Sequence, residues 1–186
     1  MVLEVASTYA GLGIDIIETN SFGGSAFKLE SYGLADKAYA INEAAAAISR
    51  EAVTPDQIVM AAMGPTGKIL MMGEVSPSQV YEAFSEQARE FQEGGADAVI
   101  IETMTDLEEA RQAIKAVQNH TDLEIVCSFT FDRTPGGEFR TMMGLSPVQV
   151  LKELLNMGIS IVGTNCGNGL ENMIPIVSEM HQTHPD

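Results

Sequence analysis

A chain of 186 residues, 45% of them apolar, is long enough for one folded domain with a sizeable core. Its 26 acidic and 10 basic residues give a formal charge of −16, a field that repels phosphate backbones and anionic lipid with no Lys/Arg cluster to offset it, which argues against nucleic-acid and membrane roles. No apolar run approaches the ~20 residues of a membrane span and no basic segment precedes an apolar one at the start, so a cytoplasmic protein is expected, with Cys127 and Cys166 reduced.

In chain order, Val2, Leu3, Val5, Ala6 and Tyr9 read as the end of an amphipathic helix closed by Gly11 and Gly13. Strands are predicted at Ile14–Glu18, Ile58–Ala62, Ala98–Glu102, Ile125–Thr130 and Ile159–Gly163, because these short runs are apolar without interruption, as in strands covered on both faces. Helices are predicted near Asp36–Glu51, Pro77–Glu93, Asp106–His120, Pro147–Met157 and Glu171–His181. Ser76, Asp106 and Ser146 stand where an oxygen can accept from free amides, with Pro77 and Pro147 at first helical positions. Gly94-Gly95 and Gly158 are expected to stop helices through positive φ. The alternation gives five βα units spaced roughly 36 residues apart, a period that extrapolates to the ~250–300 residues of an eight-fold (β/α) barrel. The expected fold is a partial (β/α)8 TIM barrel, its second to sixth units, with the terminal units missing. A five-stranded doubly wound sheet fits the same alternation and differs only in strand order.

The chemistry-bearing residues fall at strand ends. Ile-Ile-Glu-Thr-Asn at 16–20 and Ile-Ile-Glu-Thr-Met at 100–104 place Glu18 and Glu102 there, and a third run delivers Asn165 and Cys166 into a Gly-Asn-Gly turn. Each glutamate serves equally well as a loop cap, and Thr19, Asn20 and Thr103 as turn formers. Cys166, in a strand-to-helix turn, is placed to attack an electrophile or bind metal, whereas Cys127 inside Ile-Val-Cys-Ser-Phe reads as a small buried hydrophobe. A tetrahedral zinc site needs further donors, and no second cysteine stands at a strand end. His120 and His184 read as helix-end caps, and His181 with His184 as a weak metal pair. Met71-Met72 and Met142-Met143 line a pocket or fill gaps; Gly23-Gly24 and Gly167-Asn168-Gly169 are candidate phosphate cradles that match no nucleotide fingerprint.

Taken together, Ile-Ile-Glu-Thr-Asn-Ser-Phe-Gly-Gly at 16–24, Gly-Pro-Thr-Gly-Lys at 64–68, Ile-Ile-Glu-Thr-Met-Thr-Asp-Leu-Glu-Glu-Ala at 100–110, Ser-Phe-Thr-Phe-Asp at 128–132 and Gly-Thr-Asn-Cys-Gly at 163–167 resemble the homocysteine S-methyltransferase family. The resemblance runs through nearly the whole chain and is nearest to homocysteine-binding modules that work with cobalamin. It implies a single incomplete homocysteine-binding barrel domain over residues 1–186. It also implies a zinc ion held by three cysteine thiolates, of which Cys166 matches the first, while the adjacent Cys-Cys pair of the family has no counterpart here. Glu102 matches the acidic residue that holds the homocysteine amino group, Thr19 a substrate-pocket threonine and Asn165 the asparagine before the metal cysteine; Glu18 receives no role. The implied reaction is methylation of a zinc-activated homocysteine thiolate, with methylcobalamin as the expected donor, recharged from methyltetrahydrofolate, and with cobalamin and folate held by other modules. Two rivals stay open: a different barrel lyase or isomerase taking an anionic substrate at the glycine-rich loops, and a non-catalytic assembly piece.

Overall fold

A computed structural model describes residues 1–185. The elements run α1 (Val2–Ala10), β1 (Ile16–Glu18), α2 (Ala26–Glu30), α3 (Ala38–Ala52), β2 (Ile58–Met63), α4 (Pro77–Glu93), β3 (Ala98–Met104), α5 (Leu107–His120), β4 (Glu124–Phe129), β5 (Asp132–Arg133), β6 (Phe139–Arg140), α6 (Pro147–Asn156), β7 (Ile161–Thr164) and α7 (Leu170–Thr183). Five strands pair in the order β1-β2-β3-β4-β7, every pairing parallel, so neighbours in the sheet are neighbours among the βα units. No strand order reverses, which removes the doubly wound alternative and leaves an arc of a (β/α) barrel.

Local signals set most boundaries. Ser76 and Ser146 form capping boxes with Gln79 and Gln149, each followed by proline, and the Asp106 side chain accepts from the Glu108 amide. Gly158 and Gly95 have φ of 83° and 89°, as helix ends require; Gly94 does not, with φ −73°. It is glycine for space, because a Cβ there would lie 2.5 Å from the Glu43 carbonyl oxygen. The strand expected from Ile14 starts instead at Ile16, after Gly13 turns with φ 79°. Two elements went unforeseen: the short helix α2, capped by Ser25, and the β5–β6 hairpin before α6.

Alternation along each strand divides the sheet into two faces. Val59, Ala61 and Met63, Val99 and Ile101, and Cys127 and Phe129 are buried against Phe84, Ala88 and Phe91 of α4, Ala113, Ile114 and Val117 of α5, and Val150 and Leu154 of α6. This layer is the core, and each fully buried large side chain in it contributes roughly 1.5–3 kcal/mol. The alternate residues, Ile16 and Glu18, Met60 and Ala62, Ile100 and Glu102, Val126 and Ser128, and Ile161 and Gly163, line the opposite, inner face. That face is only partly covered: Ile16 is 44% and Ile161 60% exposed.

Both outer strands, β1 and β7, have one unpaired edge, and a cleft of about 590 Å³ lined by Val2, Val5, Tyr9 and Ile16 runs along the first. Unpaired edges beside exposed apolar side chains template further pairing. The 186-residue chain by itself is expected to self-associate with rising concentration in sedimentation velocity; a monodisperse monomer with a cooperative melt contradicts this.

A buried carboxyl group lies in α4, outside the site region. Glu90 of α4 is 2% exposed and its Oε2 has no hydrogen-bond partner among the described residues. Burial first, then Glu86 and Glu93 on α4 and Glu43 on α3, push its pKa up to about 8 against the opposing pull of Arg89. Because the folded-state pKa lies above the unfolded one, the proton-linked stability is fully present below pH 4.5 and is lost as pH rises through 8. Glu90→Gln should therefore flatten the fall in stability across this window, gaining on the order of 3 kcal/mol over wild type at pH 9. Urea melts of both proteins at pH 5, 7 and 9 check it; equal slopes against pH contradict it.

Candidate functional site

The C-terminal ends of the parallel strands gather the polar side chains of the inner face. Glu18 ends β1, Glu102 lies in β3, Ser128 in β4, and Asn165 and Cys166 follow β7 directly. The Asn165 side chain joins them. Its Oδ1 accepts from the Thr103 backbone amide at 3.0 Å and from Ser128 Oγ at 2.9 Å; its Nδ2 donates to Glu102 Oε2 at 2.8 Å and Thr103 Oγ1 at 2.9 Å, with Cys166 Sγ at 3.6 Å. Thr103 Oγ1 also lies 3.6 Å from Cys166 Sγ. Three strands thus meet at one amide.

Backbone strain marks the same place. Thr103 and Cys166 are the non-glycine residues with positive φ among those described, at 61° and 57°. For a β-branched threonine the left-handed region is costly, about 1–3 kcal/mol. The β3–β4 register shifts between Ile101 and Met104, and the bulge turns the Thr103 amide toward Asn165. Cys166 is exposed at the rim; Cys127 is buried behind the sheet, where desolvation pushes its thiol up to about 12.

Glu102 is the electrostatically unusual group. Burial first, then a hydrogen bond and charge repulsion from Glu18, push its pKa up to about 7, while Asn165 and Thr103 oppose the shift. The two carboxyl groups meet although their strands, β1 and β3, flank β2 in the sheet.

Of the four residues singled out from the sequence, the fold brings together Glu102, Asn165 and Cys166. Thr19 stands apart from their hydrogen-bond cluster: 5% exposed, its Oγ1 lies 2.5 Å from Ser21 Oγ and accepts from the Ala62 amide at 3.0 Å, tying the end of β1 to β2. Ser128, Thr103 and Glu18 complete the cluster. Ser128 lies in an apolar run that gives no sign of a site role. The glycine-rich loops have packing duties: Gly24 abuts Asn42, and a Cβ on Gly167 would meet Thr130 Oγ1 at 2.5 Å, while the Asn168 amide group donates to the Phe131 carbonyl. Gly23-Gly24 precedes a five-residue helix, too short to serve as an anion site. His120 bonds Tyr81 Oη at 3.0 Å at the end of α5, and His181 and His184 line a separate cleft with Leu151 of α6 and Val162 of β7. Met71, Met72 and Met142 are exposed. A second buried carboxylate, Glu109, holds the Gly64–Lys68 loop by accepting from the Thr66 amide at 2.7 Å and from its hydroxyl at 2.5 Å; desolvation raises its pKa against those bonds.

Among the described residues no three His, Cys, Asp or Glu side chains converge as a metal site. The thiol of Cys166, exposed at the rim, is a donor that suits zinc. It supplies one ligand, so a complete zinc site needs donors from outside the described residues. No helix among these residues is long and apolar enough to cross a membrane.

Comparison with known proteins bears on the family and the fold. The chain is 29% identical over 184 residues to the methionine synthase of Mycobacterium leprae (strain TN) and 28% identical over 186 residues to that of Mycobacterium tuberculosis (strain ATCC 25618 / H37Rv), each match covering 92% of the chain. It spans about 15% of the length of either relative. The metallated form of the Escherichia coli homocysteine methyltransferase MmuM superposes with a TM-score of 0.79 at 18% identity, over 97% of this chain and 67% of that one; its oxidized form matches equally well, at 19% identity. These structures share the fold. The family model for homocysteine S-methyltransferase matches residues 1–186, and the chain belongs to that family.

Proposed function

We propose that this chain is the homocysteine-holding part of a zinc-dependent homocysteine S-methyltransferase: a single incomplete barrel domain over residues 1–186 working within a longer, cytoplasmic polypeptide that completes the barrel. The observation that carries the proposal is the Asn165 side chain, which fastens a carboxylate and a rim thiol to one amide group. Glu102 receives the substrate ammonium. Asn165 and Thr103 hold its Oε2, so the carboxylate keeps one orientation as the amino acid enters. Cys166 is one of the zinc ligands, and Thr19, by closing β1 onto β2, shapes the pocket wall beside Glu18. Zinc bound at the rim supplies Lewis acidity that lets a thiol ionise at neutral pH.

The methyl donor proposed is methylcobalamin, recharged from methyltetrahydrofolate, with cobalamin and folate carried by other modules. The names of the mycobacterial relatives and the 15% of their length that this chain spans support a modular setting. The test is product formation. The zinc-loaded full-length protein, given L-homocysteine and in turn methylcobalamin, S-methylmethionine and betaine, should form methionine with methylcobalamin, as read by mass spectrometry. Methionine from another donor corrects the donor alone; no methionine from any of them contradicts the reaction.

A further inference from the structure

The strongest unassigned feature of the rim is the way the Asn165 amide is oriented. The Thr103 backbone N–H can only donate, so the atom it meets at 3.0 Å must be the amide oxygen. Ser128 Oγ reaches the same oxygen at 2.9 Å, from a side chain in the sheet that is itself buried. With two donors on Oδ1, the NH2 group has one direction left, toward Glu102, Thr103 and Cys166. Among the described residues the Ser128 hydroxyl hydrogen-bonds neither the carboxylate nor the thiol, and its bond to Asn165 stands alone.

We infer that Ser128 is a positioning residue, whose hydroxyl, with the Thr103 amide, sets the orientation of the Asn165 amide and through it the direction of the Glu102 carboxylate. The geometric role stands independently of the reaction; its kinetic consequence rests on the homocysteine reading above. Without the hydroxyl, the amide oxygen keeps one donor instead of two and the side chain can swing about that single bond. The Asn165–Glu102 contact then loosens. One neutral hydrogen bond is lost from the chain of contacts that holds the substrate ammonium, so an effect of about fivefold is expected, in KM rather than kcat, because the reacting sulfur is untouched.

Three variants of the full-length protein separate the hydroxyl from its volume. Ser128→Ala and Ser128→Val remove it, and Ser128→Thr keeps it in a side chain isosteric with valine. Expected for the first two is a rise of about fivefold in KM for L-homocysteine with kcat and zinc content near wild type, and for the third a KM near wild type. The second readout needs no turnover: crystal structures should keep the Asn165 Nδ2 to Glu102 Oε2 contact in Ser128→Thr and lose it in Ser128→Val. A contact retained in Ser128→Val overturns the inference whatever the activity, as does a Thr variant that fails together with Val in both readouts. If the contact opens in a protein whose wild type never methylates homocysteine, the positioning role stands and the proposed reaction falls.

Discussion

Replacing Cys166 with alanine in the full-length protein is expected to remove zinc from the rim and to end homocysteine methylation with it. The thiol is the one cysteine exposed at a strand end, 3.6 Å from both Asn165 Nδ2 and Thr103 Oγ1. Losing one of a small number of thiolates removes a metal bond and opens the coordination sphere to water, and metal affinity falls with it. Cys127→Ala is the matched control. Its side chain is buried in the core cluster, with Ile101 its partner across the sheet, so that variant should keep its zinc and lose about 1 kcal/mol of packing stability. Zinc content by atomic emission, taken beside a melt, reads both. Full zinc content in Cys166→Ala, or zinc lost from Cys127→Ala, places the metal elsewhere.

Glu102→Gln should cost roughly 50-fold in kcat/KM for L-homocysteine, because the glutamine keeps the shape and the contact region of Asn165 but removes the charge that meets the substrate ammonium. The loss should fall mainly on KM. It should also be confined to substrates with an amino group: 4-mercaptobutyrate, which lacks one, should react poorly with both proteins and discriminate little between them. The pH profile carries a second signature. With its pKa pushed up to about 7 by burial and by Glu18, Glu102 holds a proton below neutrality and offers no charge to an ammonium, so KM for homocysteine in the wild type should fall as pH rises through 7. In Glu102→Gln that dependence should be absent. An unchanged KM in the variant, or an equal loss for 4-mercaptobutyrate, removes the ammonium role.

The strands and helices were legible because their signals are local: unbroken apolar runs for strands under helices, and serine-proline caps for helix starts. Parallel pairing followed from the alternation, but the strand order did not, since right-handed βα connections build a barrel and a doubly wound sheet alike; the observed order decides for the barrel. What escaped was short or polar. Helix α2 has five residues and the β5–β6 hairpin two per strand, below the length at which a period can be read. At the site, the residue types were visible and their joining was not. Ile-Ile-Glu-Thr-Met reads as a strand that ends at Glu102 with Thr103 free to turn; nothing in it announces that the strand runs on to Met104 through a left-handed Thr103 and a register shift that turns its amide toward Asn165. Ser128 reads as part of an apolar run, since its partner is 37 positions away. The meeting of Glu18 with Glu102 joins the ends of different βα units, far apart in sequence. Thr19 follows a glutamate in an Ile-Ile-Glu-Thr phrase, as Thr103 does, yet its hydroxyl is consumed in pinning β1 to β2.

On the reading proposed above, homocysteine sits on this rim with its amino group at Glu102 and its sulfur toward Cys166. A crystal structure of the full-length protein soaked with L-homocysteine tests it most directly. The ammonium is expected within hydrogen-bond distance of the Glu102 carboxylate, the Asn165 amide still bonded to that carboxylate, and the sulfur directed to the Cys166 side of the pocket. Homocysteine bound away from Glu102, or with its sulfur pointing from Cys166 toward the β1 edge, would contradict it.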